Sequence, residues 1–99
     1  MCGIFGIAFP HDRDDMGAIL TRAGQALSYR GYDSVGALSI DEHGKADLRK
    51  DIGRIEEVAQ RLGFAEQRGR RGIIQLRWAT FGVPAKRNAQ PHFATSHTL

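Results

Sequence analysis

One residue near the start of this chain could be both a nucleophile and its own base. Cys2 directly follows Met1, so removal of the methionine would leave a thiol and a free α-amine on the same residue. The α-amine titrates near ~8 and a free thiol near ~8.5, so a proton can pass between them at little cost close to neutral pH. That is the arrangement of an N-terminal nucleophile. A second set of groups stands far along the chain, in Arg77-Trp78-Ala79-Thr80-Phe81-Gly82-Val83-Pro84. The planar guanidinium of Arg77 matches a carboxylate through two parallel hydrogen bonds, and the Thr80 hydroxyl can supply a third. Gly82 and Pro84 shape a loop able to fold over a small substrate. The combination is that of an amino-acid clamp with a lid. Each residue also has a purely structural reading: Cys2 as a small buried residue of a first strand, Arg77 as a strand-end surface charge, Trp78 as a core anchor.

Position depends on the elements around these groups. Gly3 to Phe9 reads as a short, buried apolar strand bounded by Pro10, with the cysteine at its open end and Gly3 and Gly6 allowing close approach of another backbone. Asp14 or Asp15 is expected to cap a helix in which Met16, Ile19, Leu20, Ala23 and Leu27 share a face. Gly17 and Gly24 weaken that helix by up to ~1 kcal/mol each relative to alanine, and suggest close contact with a sheet. Tyr29-Arg30-Gly31-Tyr32-Asp33-Ser34 reads as a sharp, polar-lined turn. Val35 to Ile40 is a strand, Asp41-Glu42-His43-Gly44 a turn, and Lys45 to Lys50 the returning arm of a hairpin. Ile55, Val58, Ala59 and Leu62 mark a second helix, with Gly63 at its C-terminal cap. Gln67 to Gly72 reads as a solvated basic loop, and Gly72 to Arg77 as a further strand that delivers Arg77 at its end.

The composition narrows the classes. The 99 residues allow one domain, 41% hydrophobic and 25% charged, as in an ordinary soluble protein. A single cysteine excludes an internal disulfide and any multi-cysteine zinc site, and fits a reducing cytoplasm. No apolar run approaches the ~18 residues of a membrane span, and the N-terminus lacks the layout of a signal peptide. The net charge of +3 is scattered apart from Arg68, Arg70 and Arg71, so neither a nucleic-acid nor a membrane partner is expected. His11, His43, His92 and His97 have no metal-ligand spacing, and no metal or cofactor is expected.

Met1-Cys2-Gly3-Ile4, Tyr29-Arg30-Gly31-Tyr32-Asp33-Ser34 and Arg77-Trp78-Ala79-Thr80, in that order, resemble the class II glutamine amidotransferases. Their glutaminase domains begin Cys-Gly-Ile and have the N-terminal-nucleophile fold. The resemblance spans Met1 to His92. It implies an α+β chain, the α/β/β/α sandwich of that fold incomplete on its C-terminal side, with residues 1–99 as the N-terminal part of a glutaminase domain. It implies that Cys2 attacks the side-chain amide of glutamine, that Arg77 and Thr80 bind the α-carboxylate, and that Trp78 sits in the loop closing over the substrate. Arg30, with Gly31, would hold the N-terminal residue. Trp78 and Tyr32-Asp33-Ser34 are similar to the amino-sugar-forming branch, whereas Asn88-Ala89-Gln90-Pro91 looks more like the amidophosphoribosyltransferases. Phe81 stands where the amino-sugar branch usually has a histidine.

The family's oxyanion-stabilising Asn-Gly pair and amine-binding aspartate follow the Asn-x-x-Pro segment, and neither lies within these residues. The chain alone is therefore expected to have little or no glutaminase activity and to be aggregation-prone, or soluble only as an oligomer or with a complementing chain; the partners implied are glutamine, the C-terminal part of the domain and an ammonia-accepting domain. From a different class comes a second reading: a non-catalytic basic module that keeps part of the fold and binds a partner chain through its sheet edges.

Overall fold

The computed structural model describes residues 2–28 and 33–77, Cys2 by its backbone alone. Four strands, β1 (Cys2–Arg13), β2 (Ser34–Ile40), β3 (Ala46–Ile52) and β4 (Gly69–Arg77), form one antiparallel sheet in the order β1-β4-β2-β3. Two helices, α1 (Met16–Leu27) and α2 (Ile55–Leu62), pack on one face, and a single 3₁₀ turn at Phe64–Glu66 follows α2. The result is an α+β sheet with one helical layer, the expected class.

The sheet divides its residues by period two. Val35 and Ala37 of β2 and Ile74 and Leu76 of β4 point at the helices and join Met16, Leu20, Ile55, Val58 and Phe64 in the core, with Phe5, Ile7 and Phe9 packed against it. The opposite face carries Ile4, Gly6 and Ala8, Ile73, and Leu38 and Ile40, by register. Across it runs an open trough of about 430 Å³ lined by Gly6, Ala8, Leu38, Ile40, Arg71 and Ile73.

Several expectations change in detail. β1 is not a short buried strand: it runs through Pro10 to Arg13 along the sheet edge, where Ile4 is 60% exposed. An edge tolerates proline because one side of the strand has no ladder to feed, and the pairing slips between Ala8 and Arg13. Asp15 stands at the N-cap of α1 but its side chain caps nothing. Its carboxylate is instead held by Arg13, whose Nε and Nη2 donate to Oδ1 and Oδ2 at 2.8 and 2.9 Å. The expected loop from Gln67 to Gly72 is mostly strand, since β4 begins at Gly69, and Gln67 is fully buried rather than solvated.

Gly24 does meet the sheet, where a Cβ would stand 2.7 Å from Ile74 Cδ1. Gly17 meets the 3₁₀ turn instead: its Cβ would collide with the Phe64 carbonyl, and its N–H donates to Gln67 O at 3.0 Å. Gly63 is the cap of α2, with φ 66° and ψ 47°, as its position after Leu62 predicts. Arg49 of β3 completes that cap by donating from Nη1 to Leu62 O and Gly63 O at 2.9 and 2.7 Å.

Candidate active site

The antiparallel order brings the start of β1, the end of β4 and the start of β2 to the same end of the sheet. Cys2 pairs with Arg77 across β1 and β4, and Arg77 pairs with Ser34 across β4 and β2. Ser34 in turn pairs with Ile52 of β3. One row of the sheet thus runs Cys2, Arg77, Ser34, Ile52, joining two residues at opposite ends of the described chain.

Arg77 is held firmly. Its strand lies between β1 and β2 and is bonded on both sides, and central strands place side chains more accurately than loops do. Beyond the ladder, Asp33 N donates to Arg77 O at 2.9 Å, and Gly53 N donates to Asp33 O at 2.8 Å. The segments entering β2 and leaving β3 are therefore tied to the residue that ends β4. The apolar alternation Ile74, Leu76 orients the strand: with those two side chains in the core, Arg77 belongs to the face away from the helices.

Of the residues singled out from the sequence, the fold brings Cys2 and Arg77 together. Arg30, Gly31, Trp78 and Thr80 lie outside the described residues, as do Phe81, Gln90, His92 and His97. Ser34, part of the Asp-Ser pair that the sequence offers only as a turn, joins the row as a nearly buried residue, 5% exposed. Its alignment with Arg77 depends on strand register, which local sequence does not display.

The described groups with perturbed titration lie away from this row. Near the far end of the sheet, hydrogen bonding to Arg13 lowers the pKa of Asp15, and the backbone N–H of Lys45 lowers that of Asp41. There too His11, silent in the sequence pattern, lies 3.3 Å from Glu42, and that contact is the main cause of the lowered Glu42 pKa. Among the described residues no group of three His, Cys, Asp or Glu side chains could hold a metal ion. No described helix is long and apolar enough to cross a membrane.

Comparison with known proteins then places the chain. It is 47% identical over 93 residues to a glutamine–fructose-6-phosphate aminotransferase (isomerizing) from Pyrobaculum aerophilum, and the alignment covers 93% of this chain. Proteins of the same name from Aeropyrum pernix and Pseudomonas syringae are 48% and 40% identical over 92 and 94 residues. The chain spans about 15% of the length of each of these relatives. Among solved structures it resembles a glutamine phosphoribosylpyrophosphate amidotransferase from B. subtilis, with a TM-score of 0.69 and 24% identity, covering 99% of this chain and 20% of that one. The latter likeness concerns the fold, that of the N-terminal-nucleophile amidotransferases, of which this chain covers a small part. No protein-family model matches. The curated relatives carry the name of the amino-sugar branch.

Proposed function

We propose, on the premise that this chain is a homologue of the N-terminal part of the glutamine–fructose-6-phosphate aminotransferases, that it is the nucleophile-bearing part of a glutaminase domain. The observation that carries the reading is the cross-strand pairing of Cys2 with Arg77. It sets Cys2, the residue that carries a potential nucleophile, directly across from the residue that carries a guanidinium suited to a carboxylate.

With Met1 removed, the α-amine of Cys2 takes the thiol proton and the sulfur attacks the side-chain amide carbon of glutamine. The tetrahedral intermediate collapses as the protonated amine returns its proton to the leaving nitrogen, so ammonia departs and a glutamyl thioester remains. Water then adds to the thioester, releasing glutamate and regenerating the thiol. Arg77, with Thr80, holds the α-carboxylate, Trp78 belongs to the closing loop, and Arg30 with Gly31 supports the N-terminal residue. The ammonia would serve amino-sugar synthesis at an acceptor domain outside these residues, in the cytoplasm. Residues 1–99 supply the N-terminal part of the domain, and its C-terminal part supplies the oxyanion donors.

The test is ammonia release from L-glutamine by the full natural protein. The reading expects activity that disappears in Cys2→Ala while cooperative unfolding is retained. Hydrolysis that survives Cys2→Ala would sink it.

A further inference from the structure

We propose that the outer edge of β3 is a self-recognition surface, on which a second copy of this chain pairs antiparallel in one register, centred on Leu48. The inference stands apart from the glutaminase reading. β3 ends the described sheet, with β2 beside it. The backbone shows which of its residues point outward. Gly53 N donates to Asp33 O at 2.8 Å and Asp41 N donates to Lys45 O at 3.0 Å, so these two bonds bracket the hairpin in register. Hydrogen-bonded and non-hydrogen-bonded positions alternate along an antiparallel pair. The odd-numbered residues of β3 therefore direct their N–H and C=O groups at β2, and Ala46, Leu48, Lys50 and Ile52 turn theirs to the edge. At Ile52 the outward N–H is taken by Asp51 Oδ1 at 2.8 Å. α2 packs over β2 and β3, not beside them, and an open groove of about 350 Å³ lined by Leu48, Arg49, Lys50 and Leu62 borders the edge.

Charge selects the occupant. Arg49 reaches Leu62 O and Gly63 O, and Asp51 pairs with Arg61, so the odd-numbered side chains of β3 share the helix-side face. From Lys45 to Asp51 that face alternates Lys, Asp, Arg, Asp. With Leu48 opposite Leu48 of the second copy, Asp47 meets Arg49 of the copy and Lys45 meets its Asp51, each pair occurring twice by symmetry. These are non-hydrogen-bonded positions, where opposed Cα atoms stand only about 4.5 Å apart. Arg49 Nε already donates to Asp47 Oδ1 at 3.0 Å within one chain, so the two copies close an alternating square of arginines and aspartates. The neighbouring registers fail. One centred on Arg49 opposes two arginines, and one centred on Asp47 opposes two aspartates. One centred on Lys50 opposes two lysines and needs the Ile52 N–H that Asp51 holds. The two-fold axis is perpendicular to the sheet, so both copies keep α2 on the same face. Strands about 4.8 Å apart then place the two helices about 10 Å apart, the spacing of packed helices.

The test is disulfide capture in the full natural protein, oxidised with copper–phenanthroline and mapped by mass spectrometry so that links through Cys2 are told apart. Opposed hydrogen-bonded positions have Cα atoms about 5.5 Å apart, within disulfide range. Leu48→Cys should therefore give a peptide linked from residue 48 to residue 48. In Lys50→Cys the two cysteines would stand about 14 Å apart, and the yield should be at least about tenfold lower. Adding Lys45→Glu to Leu48→Cys opposes like charges at Asp51 of the second copy and should lower the yield about threefold or more. In the unsubstituted protein at high concentration, the outward Leu48 amide should exchange its hydrogen at least about tenfold more slowly than an open edge amide. Absence of the 48-to-48 link in a variant that melts like wild type overturns the proposal. So do equal yields from the two cysteine variants, which would mean random collision. An unprotected Leu48 amide overturns it even if the cysteine variants fail to fold. None of these outcomes bears on the role of Cys2.

Discussion

Cys2 and Arg77 are cross-strand partners in the β1–β4 ladder, although almost the whole described chain separates them in sequence. The relationship arises because β4 returns antiparallel to β1 and occupies the place beside it, while β2 and β3 are displaced to the far side of β4. For Arg77 the consequence is testable by Arg77→Lys. An ammonium is a point charge and cannot make the two-pronged contact. In the full natural protein KM for glutamine should rise about tenfold or more, the loss expected for one charge-assisted hydrogen bond, with a smaller change in kcat. An unchanged KM with reduced kcat would remove Arg77 from ground-state carboxylate binding.

Gly17 and Gly24 lie on the same helix, yet they should respond differently to alanine. At Gly17 the added Cβ meets the backbone carbonyl of Phe64, which cannot move without shifting the 3₁₀ turn. At Gly24 it meets the tips of the Ile74 and Ile55 side chains, which can adjust. Gly17→Ala is expected to cost about 2–3 kcal/mol by urea denaturation, the upper range for overpacking. Gly24→Ala should cost under about 1 kcal/mol, because the gain in helix propensity offsets part of the crowding. Equal stability of the two variants would contradict the close approach of α1 to Phe64.

Gln67 is fully buried, and its Nε2 donates to Ala37 O and to Asp47 O, both at 2.9 Å, so it ties the β2–β3 hairpin to the start of β4. Gln67→Leu keeps the volume and removes both donors, which should cost about 2–4 kcal/mol as two carbonyls lose their partner. A leucine variant as stable as wild type would mean that these carbonyls find other partners at no cost.

Asp41 organises the β2–β3 turn, where its Oδ1 accepts from the backbone N–H groups of His43 and Lys45, each at 2.9 Å. The Lys45 amide is the main cause of its lowered pKa. A carboxylate depressed in the folded state stabilises the protein above its unfolded value of about 3.9, and the contribution fades as pH falls through the lower folded value. The stability difference between wild type and Asp41→Ala should therefore be steady near neutral pH and shrink below about pH 4. A difference independent of pH down to about 2 would show that the ionised carboxylate does not support the turn.

What the sequence determined by itself is what local physics controls. The apolar spacing of Ile55, Val58 and Leu62 with Gly63 behind it encodes α2 and its left-handed cap, because the conformation at Gly63 depends on the absence of a side chain there. The Asp41 turn and the strands on either side of it were equally legible. Tertiary structure alone decided which of these groups meet. Gln67 reads as a polar loop residue until the carbonyls of Ala37 and Asp47 arrive to accept from it. Asp15 reads as a helix cap until the end of β1 presents Arg13 to its carboxylate. The row Cys2, Arg77, Ser34 follows from strand order and register, and a slip of one residue would turn Arg77 into the core. Burial of Ile74 and Leu76 prevents that slip, so the apolar residues of β4, which do no chemistry, decide where the guanidinium stands.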